Sequence, residues 1–101
     1  MAQVRWTPQA ADDLEAICLF IVRDAPQVAA AFAGRILAAT DRLTEYPRLG
    51  RSVPELRSED LREIIVGSFR VIYRIRNDVA QVLTIHHGAR RLDTTTFEPS
   101  G

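Results

Sequence analysis

Two adjacent histidines and a single cysteine are the first candidates for acid–base or nucleophilic chemistry in this sequence. Imidazole gains and loses protons near neutral pH, so His87 is a candidate for proton transfer. Strand alternation predicts that His86 points toward the core and His87 toward the opposite side, so the two rings do not form a metal-binding pair. Cys18 falls in an apolar helical stripe and is interpreted as a core residue. We expect neither a metal nor a cofactor, since no ligand cluster or Gly-rich phosphate loop is present.

The basic side chains are the second chemical feature: all 13 are Arg, and the chain has no Lys. Arg presents a permanently charged, planar fork that suits carboxylates and phosphates. Residues 47–91 hold nine of the arginines against five acidic residues. This basic half predicts an acidic or phosphate-bearing partner, although charge segregation without a function is an equally simple interpretation. A formal net charge of zero argues against generic coating of DNA or RNA.

The basic end of the chain can be interpreted in two ways. Gly88 can bend the backbone so that Arg90 and Arg91 reach outward, and with Arg70 and Arg74 they would form a site for phosphates or carboxylates. The alternative is a set of solvated arginines that hold Glu63 or Asp93 in surface ion pairs. Spacing alone leaves both open.

Length and composition indicate an ordinary globular domain. The chain has 101 residues, of which 47% are hydrophobic and 26% charged. The longest apolar run, residues 16–22, is too short to cross a bilayer, and no signal-peptide pattern opens the sequence. One cysteine cannot form an internal disulfide. We therefore expect a single cytoplasmic domain over residues 1–101, with no membrane partner.

Helix and turn signals divide the chain into six elements. Residues 2–6 alternate weakly as a strand, and Thr7-Pro8 predicts a helix start with Thr as the N-cap. Pro26 starts a second helix that ends near residue 46, and a loop follows over residues 47–60. The turn signals at 67–68 and 77–78 then separate strands over 61–66, 69–76 and 79–87. The predicted fold is α+β, with the order β-α-α-β-β-β: a helical hairpin packed on a small, mainly antiparallel sheet. Residues 92–101 are predicted to be a mobile tail or a last short strand.

The two tight turns also set a register, and the register predicts two faces of the sheet. The face under the helices carries Ile64, Val66, Phe69, Val71, Tyr73, Ile75, Ala80 and Val82. The opposite face carries aliphatic side chains where a solvated face would be polar, with an arginine rim, and is predicted to bind another polypeptide. The candidates on it are Leu61, Ile65, Ile72, Leu83 and Ile85, with Arg70, Arg74 and Arg76. A tail or a self-dimer that covers this face is the alternative, and a register slip of one residue would change the assignment.

Four segments together resemble the RelE/ParE superfamily of bacterial toxins, most closely its ParE branch. They are Trp6-Thr7-Pro8-x-Ala10-x-x-Asp13-Leu14-x-x-Ile17, Tyr46-Pro47-x-x-Gly50-Arg51-x-Val53-Pro54-Glu55-Leu56, residues 61–74 (Leu-Arg-Glu-Ile-Ile-Val-Gly-x-Phe-Arg-Val-Ile-Tyr-Arg) and His87-Gly88-Ala89-Arg90. The resemblance covers about residues 3–92. It implies the fold derived above, a role in type II toxin–antitoxin systems such as those that stabilise plasmids, and a ParD-like antitoxin as partner.

The superfamily has two activities, and the resemblance favours the non-enzymatic one. ParE-like members are described as inhibitors of DNA gyrase without catalytic residues, whereas RelE-like members cleave mRNA on the ribosome with Lys and Arg side chains. Arg70 and Arg90 match arginines of the RelE-like nucleases. The lysines of those nucleases would fall at Leu61 and Glu63, and their tail tyrosine is replaced by Phe97. The expected function is therefore gyrase inhibition without sequence-specific nucleic-acid binding. Its expected target contacts are Arg90, Arg91 and Arg70.

Two other functions stay open. The first is a ribosome-dependent mRNA endonuclease that uses Arg70, Arg90 and His87. The second is a non-toxic module that keeps only the binding to an antitoxin.

Overall fold

A helical hairpin lies on one face of a five-stranded sheet in the computed structural model, which describes residues 1–90, 92–93 and 97. The strand order is β1-β5-β4-β3-β2; β1 runs parallel to β5, and the other neighbours are antiparallel. The α+β order is confirmed, with the short β2 as an addition. The elements are β1 (Gln3–Trp6), α1 (Pro8–Val22), α2 (Pro26–Asp41), a 3₁₀ turn (Arg42–Thr44), β2 (Arg51–Ser52), β3 (Leu61–Val66), β4 (Phe69–Arg76) and β5 (Val79–His87).

Both helices begin at a proline, as the sequence indicates. The Thr7 hydroxyl accepts a hydrogen bond from the Ala10 N–H at 3.1 Å and caps α1, and Pro8 opens its first turn. Pro26 opens α2, whose buried side chains lie on one face. These side chains are Ala29, Phe32, Ile36 and Thr40. No helix in the described part of the chain is long and apolar enough to cross a membrane.

The main core lies between the hairpin and the sheet. All eight residues predicted to face the helices belong to it, and Val71, Tyr73, Ala80 and Val82 have no exposed surface. The two tight turns also form as predicted, with positive φ at Gly67 (58°) in one and at Asn77 (51°) and Asp78 (61°) in the other.

A β-bulge between β4 and β5 changes the predicted register along half of that pair. Val79, Gln81 and Val82 pair with Arg76, Arg74 and Tyr73, but Ile72 pairs with Thr84, so that Leu83 is the extra residue. Three placements predicted for β5 are therefore wrong. Ile85 lies opposite Val71 in the main core, His86 lies opposite Arg70, and His87 lies opposite Phe69 on the helix side.

Two polar side chains from the start of the chain satisfy the backbone at this bulge. The Thr7 hydroxyl donates to the Leu83 carbonyl at 2.9 Å. The Asp13 carboxylate accepts the Thr84 hydroxyl and, at 3.1 Å, the Ile85 N–H. Since buried backbone groups need partners, Thr7 and Asp13 hold the bulge against α1.

The other face of the sheet is covered by the chain itself along much of its length. Leu61 and Ile72 are buried in a second cluster with Val53, Leu92 and Phe97. The partly buried Leu56 and Leu83 pack against this cluster. The expectation of a vacant aliphatic face is therefore wrong for Leu61 and Ile72. The loop before β3 and two residues of the predicted tail take the place that we expected a partner to fill.

Candidate functional site

Arg70 is the centre of a charge cluster on the sheet face that the chain itself covers. The cluster joins β4, β3 and the loop before β3. Its Nη1 and Nη2 donate to the two oxygens of Glu55 at 2.7 and 2.8 Å, and its Nε donates to Glu63 Oε1 at 2.7 Å. The Arg70 side chain is 9% exposed and that of Glu63 is fully buried. Glu63 Oε2 accepts from Arg51 Nε at 2.7 Å, so both of its oxygens are paired. Arg70 is thus engaged inside the molecule, not presented to solvent.

The strand register predicted from the sequence already placed Glu63 near Arg70. Glu63 pairs with Ile72, and Ile65 pairs with Arg70, as expected, so Glu63 and Arg70 are diagonal neighbours on one face. Glu63 was considered only as a surface ion-pair partner, whereas it is buried. The contribution of Glu55 depends on the path of the loop, which the sequence pattern does not give.

The ion pairs shift the protonation of the groups that form them. The hydrogen bonds from Arg70 lower the pKa of Glu55 to about 2, against a partial rise from burial. The same contacts raise the pKa of Arg70 above its ordinary value. Both groups are charged at every physiological pH, so neither can exchange a proton in a catalytic cycle near pH 7.

A buried tyrosine anchors the loop that carries Glu55. The Tyr73 hydroxyl donates to the Pro47 carbonyl at 2.7 Å and accepts the Gly50 N–H at 2.9 Å. Burial raises the pKa of Tyr73, which keeps it a donor. A Cβ on Gly50 would lie 2.6 Å from the Glu63 carbonyl and 2.8 Å from the Tyr73 ring, so only glycine fits this approach. The loop is therefore held at its start by the core.

The other predicted nuclease residues, Arg90 and His87, are both exposed; His87 lines a cleft with Arg70, and Arg90 does not belong to that lining. His87 packs edge-on against the Phe69 ring, and its Nδ1 accepts the Ala89 N–H at 3.1 Å. The backbone carbonyl of Arg90 accepts a hydrogen bond from His86 Nε2 at 2.9 Å. Within the described ranges, no ion pair involves the Arg90 guanidinium. Arg91 lies outside the described residues.

The predicted docking residues fall into separate places. Ile65 is 49% exposed and lines a cleft of about 320 Å³ with Ser68, Arg70, His87 and Ala89 among its walls. A second cleft, of about 430 Å³, is lined in part by residues of the second cluster. Its lining includes Arg74, Leu83, Leu92 and Phe97. Arg76 is exposed near the last turn.

Several exposed apolar side chains on the helices were missed by the sequence analysis. They are Leu19 (59% exposed) and Phe20 (72%) on α1, and Val28 (57%) on α2. The helical spacing placed these residues off the core stripe, which was the available signal. No three His, Cys, Asp or Glu side chains gather as metal ligands among residues 1–90, 92–93 and 97.

Comparisons with known proteins agree with the fold. The family model of the ParE toxin of type II toxin–antitoxin systems matches residues 4–92. Toxin RelE2 of Caulobacter vibrioides is 40% identical over 91 residues, which span 89% of this chain and 99% of that protein.

Two solved structures are similar as well. A chromosomal ParDE toxin–antitoxin system from P. aeruginosa has a TM-score of 0.73 at 24% identity, covering 86% of this chain and 96% of that one. The RelBE2 toxin–antitoxin complex of Mycobacterium tuberculosis has a TM-score of 0.54 at 25% identity, covering 85% and 96%. The chain belongs to the ParE toxin family of the RelE/ParE superfamily, and it is the toxin component of a type II toxin–antitoxin system.

Proposed function

We propose that this toxin acts by binding DNA gyrase and blocking replication, and that a ParD-like antitoxin neutralises it. The observation that carries the proposal is the engagement of Arg70 by Glu55 and Glu63. An RNA phosphate at this position would meet two carboxylates, and the chain has no Lys to compensate. A protein that inhibits by binding needs no such cation.

Arg90 and Arg91 are the proposed contacts with gyrase. Arg90 is exposed, and its guanidinium is free of ion pairs with the described residues, so it is available to a carboxylate on the target. Arg70, the third predicted target contact, is not proposed here, because in the free toxin its guanidinium is already paired with Glu55 and Glu63.

The proposed antitoxin contacts are the predicted docking residues that remain accessible. Ile65 lines the cleft of about 320 Å³. Leu83 and Arg74 line the cleft of about 430 Å³. The two solved relatives of similar fold are complexes of a toxin with its antitoxin, which supports a partner of this kind.

Supercoiling by purified gyrase tests the proposal. We expect inhibition by the wild-type protein, and loss of most of it in Arg90→Ala. Arg5→Ala removes another exposed arginine, on β1, whose Nη2 donates to Gln3 Oε1 at 3.0 Å, and this variant should inhibit normally. Unchanged supercoiling at saturating wild-type toxin would contradict the proposal. Cleavage of mRNA in a translating extract, lost in Arg90→Ala, would support the endonuclease instead, and harmless expression without antitoxin would support the non-toxic module.

A further inference from the structure

The two carboxylates that hold Arg70 differ in how firmly each is fixed. Glu63 lies on β3 with its side chain fully buried, whereas the Glu55 side chain is 37% exposed and belongs to the loop before β3. We call residues 53–60 the covering segment. Within it, the backbone hydrogen bonds are short-range, and the one long-range bond is at its end, from the Ile75 N–H to the Asp60 carbonyl.

Few contacts besides the Glu55 pair hold this segment on the sheet. Val53 is buried and Leu56 half-buried in the second cluster, and the residues between Leu56 and Asp60 are largely exposed. A segment with few backbone bonds to its neighbours opens at low free-energy cost. Opening would take Glu55 away from Arg70 and leave Glu63 in place.

Charge decides what would replace Glu55. Arg70 and Arg51 face Glu55 and Glu63, so the closed cluster is neutral. Without Glu55 the cluster carries a net charge of +1, and Arg70 keeps only Glu63, an arrangement that another anion would stabilise. The N–H groups of Nη1 and Nη2 that Glu55 leaves form a fork that suits a carboxylate.

An apolar cleft lies beside Arg70. The cleft beside the exposed Ile65 has Arg70 in its lining, together with the turn residues Gly67 and Ser68 and with Gly88. A peptide with an aliphatic side chain at Ile65 and a carboxylate one or two positions away would contact both the cleft and the guanidinium.

We propose that Glu55 occupies the position of a partner's carboxylate, and that an acidic, aliphatic segment of the antitoxin docks at Ile65, pairs with Arg70 and releases the covering segment. This inference rests on the proposed antitoxin partner. It assigns Arg70 to the antitoxin and gives Glu55 the role of an internal competitor.

Binding of the purified product of the adjacent reading frame to the full-length toxin tests this. Glu55→Gln weakens the internal pair and should tighten binding about tenfold, the effect of one lost competing charge-assisted hydrogen bond. Glu59→Gln is the matched control, since Glu59 is exposed on the same segment and only its backbone carbonyl is used, by Arg62. Glu63 still pairs with Arg70 in both variants, so both should fold.

Amide hydrogen exchange gives a second measurement. In the wild-type complex, the amides of residues 56–59 should exchange faster than in the free toxin, while those of β3 should not. Equal affinity of the Glu55→Gln and Glu59→Gln variants, or slower exchange of the covering segment on binding, would overturn the inference and leave the antitoxin partner standing. No complex with wild-type toxin would remove both.

Discussion

Removal of Arg70 should destabilise the protein far more than removal of Arg70 and Glu63 together. Arg70→Met leaves the buried Glu63 with only Arg51, whose side chain is 63% exposed. Breaking a buried ion pair costs about 3–5 kcal/mol, whereas an apolar replacement of both partners is often close to neutral. Because Glu55 is 37% exposed, it can be hydrated after the change and adds little.

The double variant Glu63→Leu with Arg70→Met should therefore recover most of the loss. We expect a coupling free energy of about 2–4 kcal/mol between the two positions. Urea unfolding followed by the fluorescence of Trp6, which packs against the main core, measures it. Arg51→Ala is the control and should cost less than about 1 kcal/mol, because the Arg51 side chain is 63% exposed and Arg70 still pairs with Glu63. Additive effects of the two single substitutions would refute the reasoning that the pair is buried and coupled.

Three further perturbations test the parts of the structure that position the site. Gly50→Ala should cost about 1–3 kcal/mol in urea unfolding, because its Cβ would meet backbone and ring atoms. Gly34→Ala in α2 is the control, because a Cβ there has no neighbouring atom within 4 Å, and it should stabilise the protein by about 0.5–1 kcal/mol. Equal effects of the Gly50 and Gly34 substitutions would contradict the close approach at Gly50. Asp13→Ala should lower the free energy of unfolding by about 1–3 kcal/mol and speed hydrogen exchange of the Ile85 amide, whereas Asp12→Ala should do neither. Slow exchange of this amide in both variants would exclude the role of Asp13 at the bulge. Arg70 lowers the pKa of Glu55, so the stability from this pair is present above pH 4.5 and is lost as the pH falls toward 2. If Glu55→Gln loses as much stability as the wild type over this pH range, the pair does not contribute it.

Local signals predicted the elements well. Prolines at positions 8 and 26 open the helices, and the dipeptides at 67–68 and 77–78 form the turns. Each of these signals acts on the residues beside it, so no tertiary information is needed. The register of β3 with β4 followed from the first turn for the same reason.

The bulge and the covering segment could not be predicted in this way. The bulge at Leu83 depends on hydrogen bonds from Thr7 and Asp13, which are more than 65 positions away in sequence. Nothing near Asp13 in the sequence indicates a contact with β5. Val53 and Leu56 are apolar residues in a loop, which signalled burial, but their place over Ile72 depends on the path of the chain. The pairing of Arg70 with Glu55 could not be predicted for the same reason, because the loop before β3 supplies Glu55.

The pairing of β1 with β5 has a consequence for synthesis of the toxin on the ribosome. Residues 3–6 pair with residues 79–82, so β1 has no neighbouring strand until β5 has left the exit tunnel. Contacts this distant in sequence form late, since a long loop must close before they give any stability. The sheet of a nascent toxin is therefore incomplete until residues 79–82 have emerged from the ribosome.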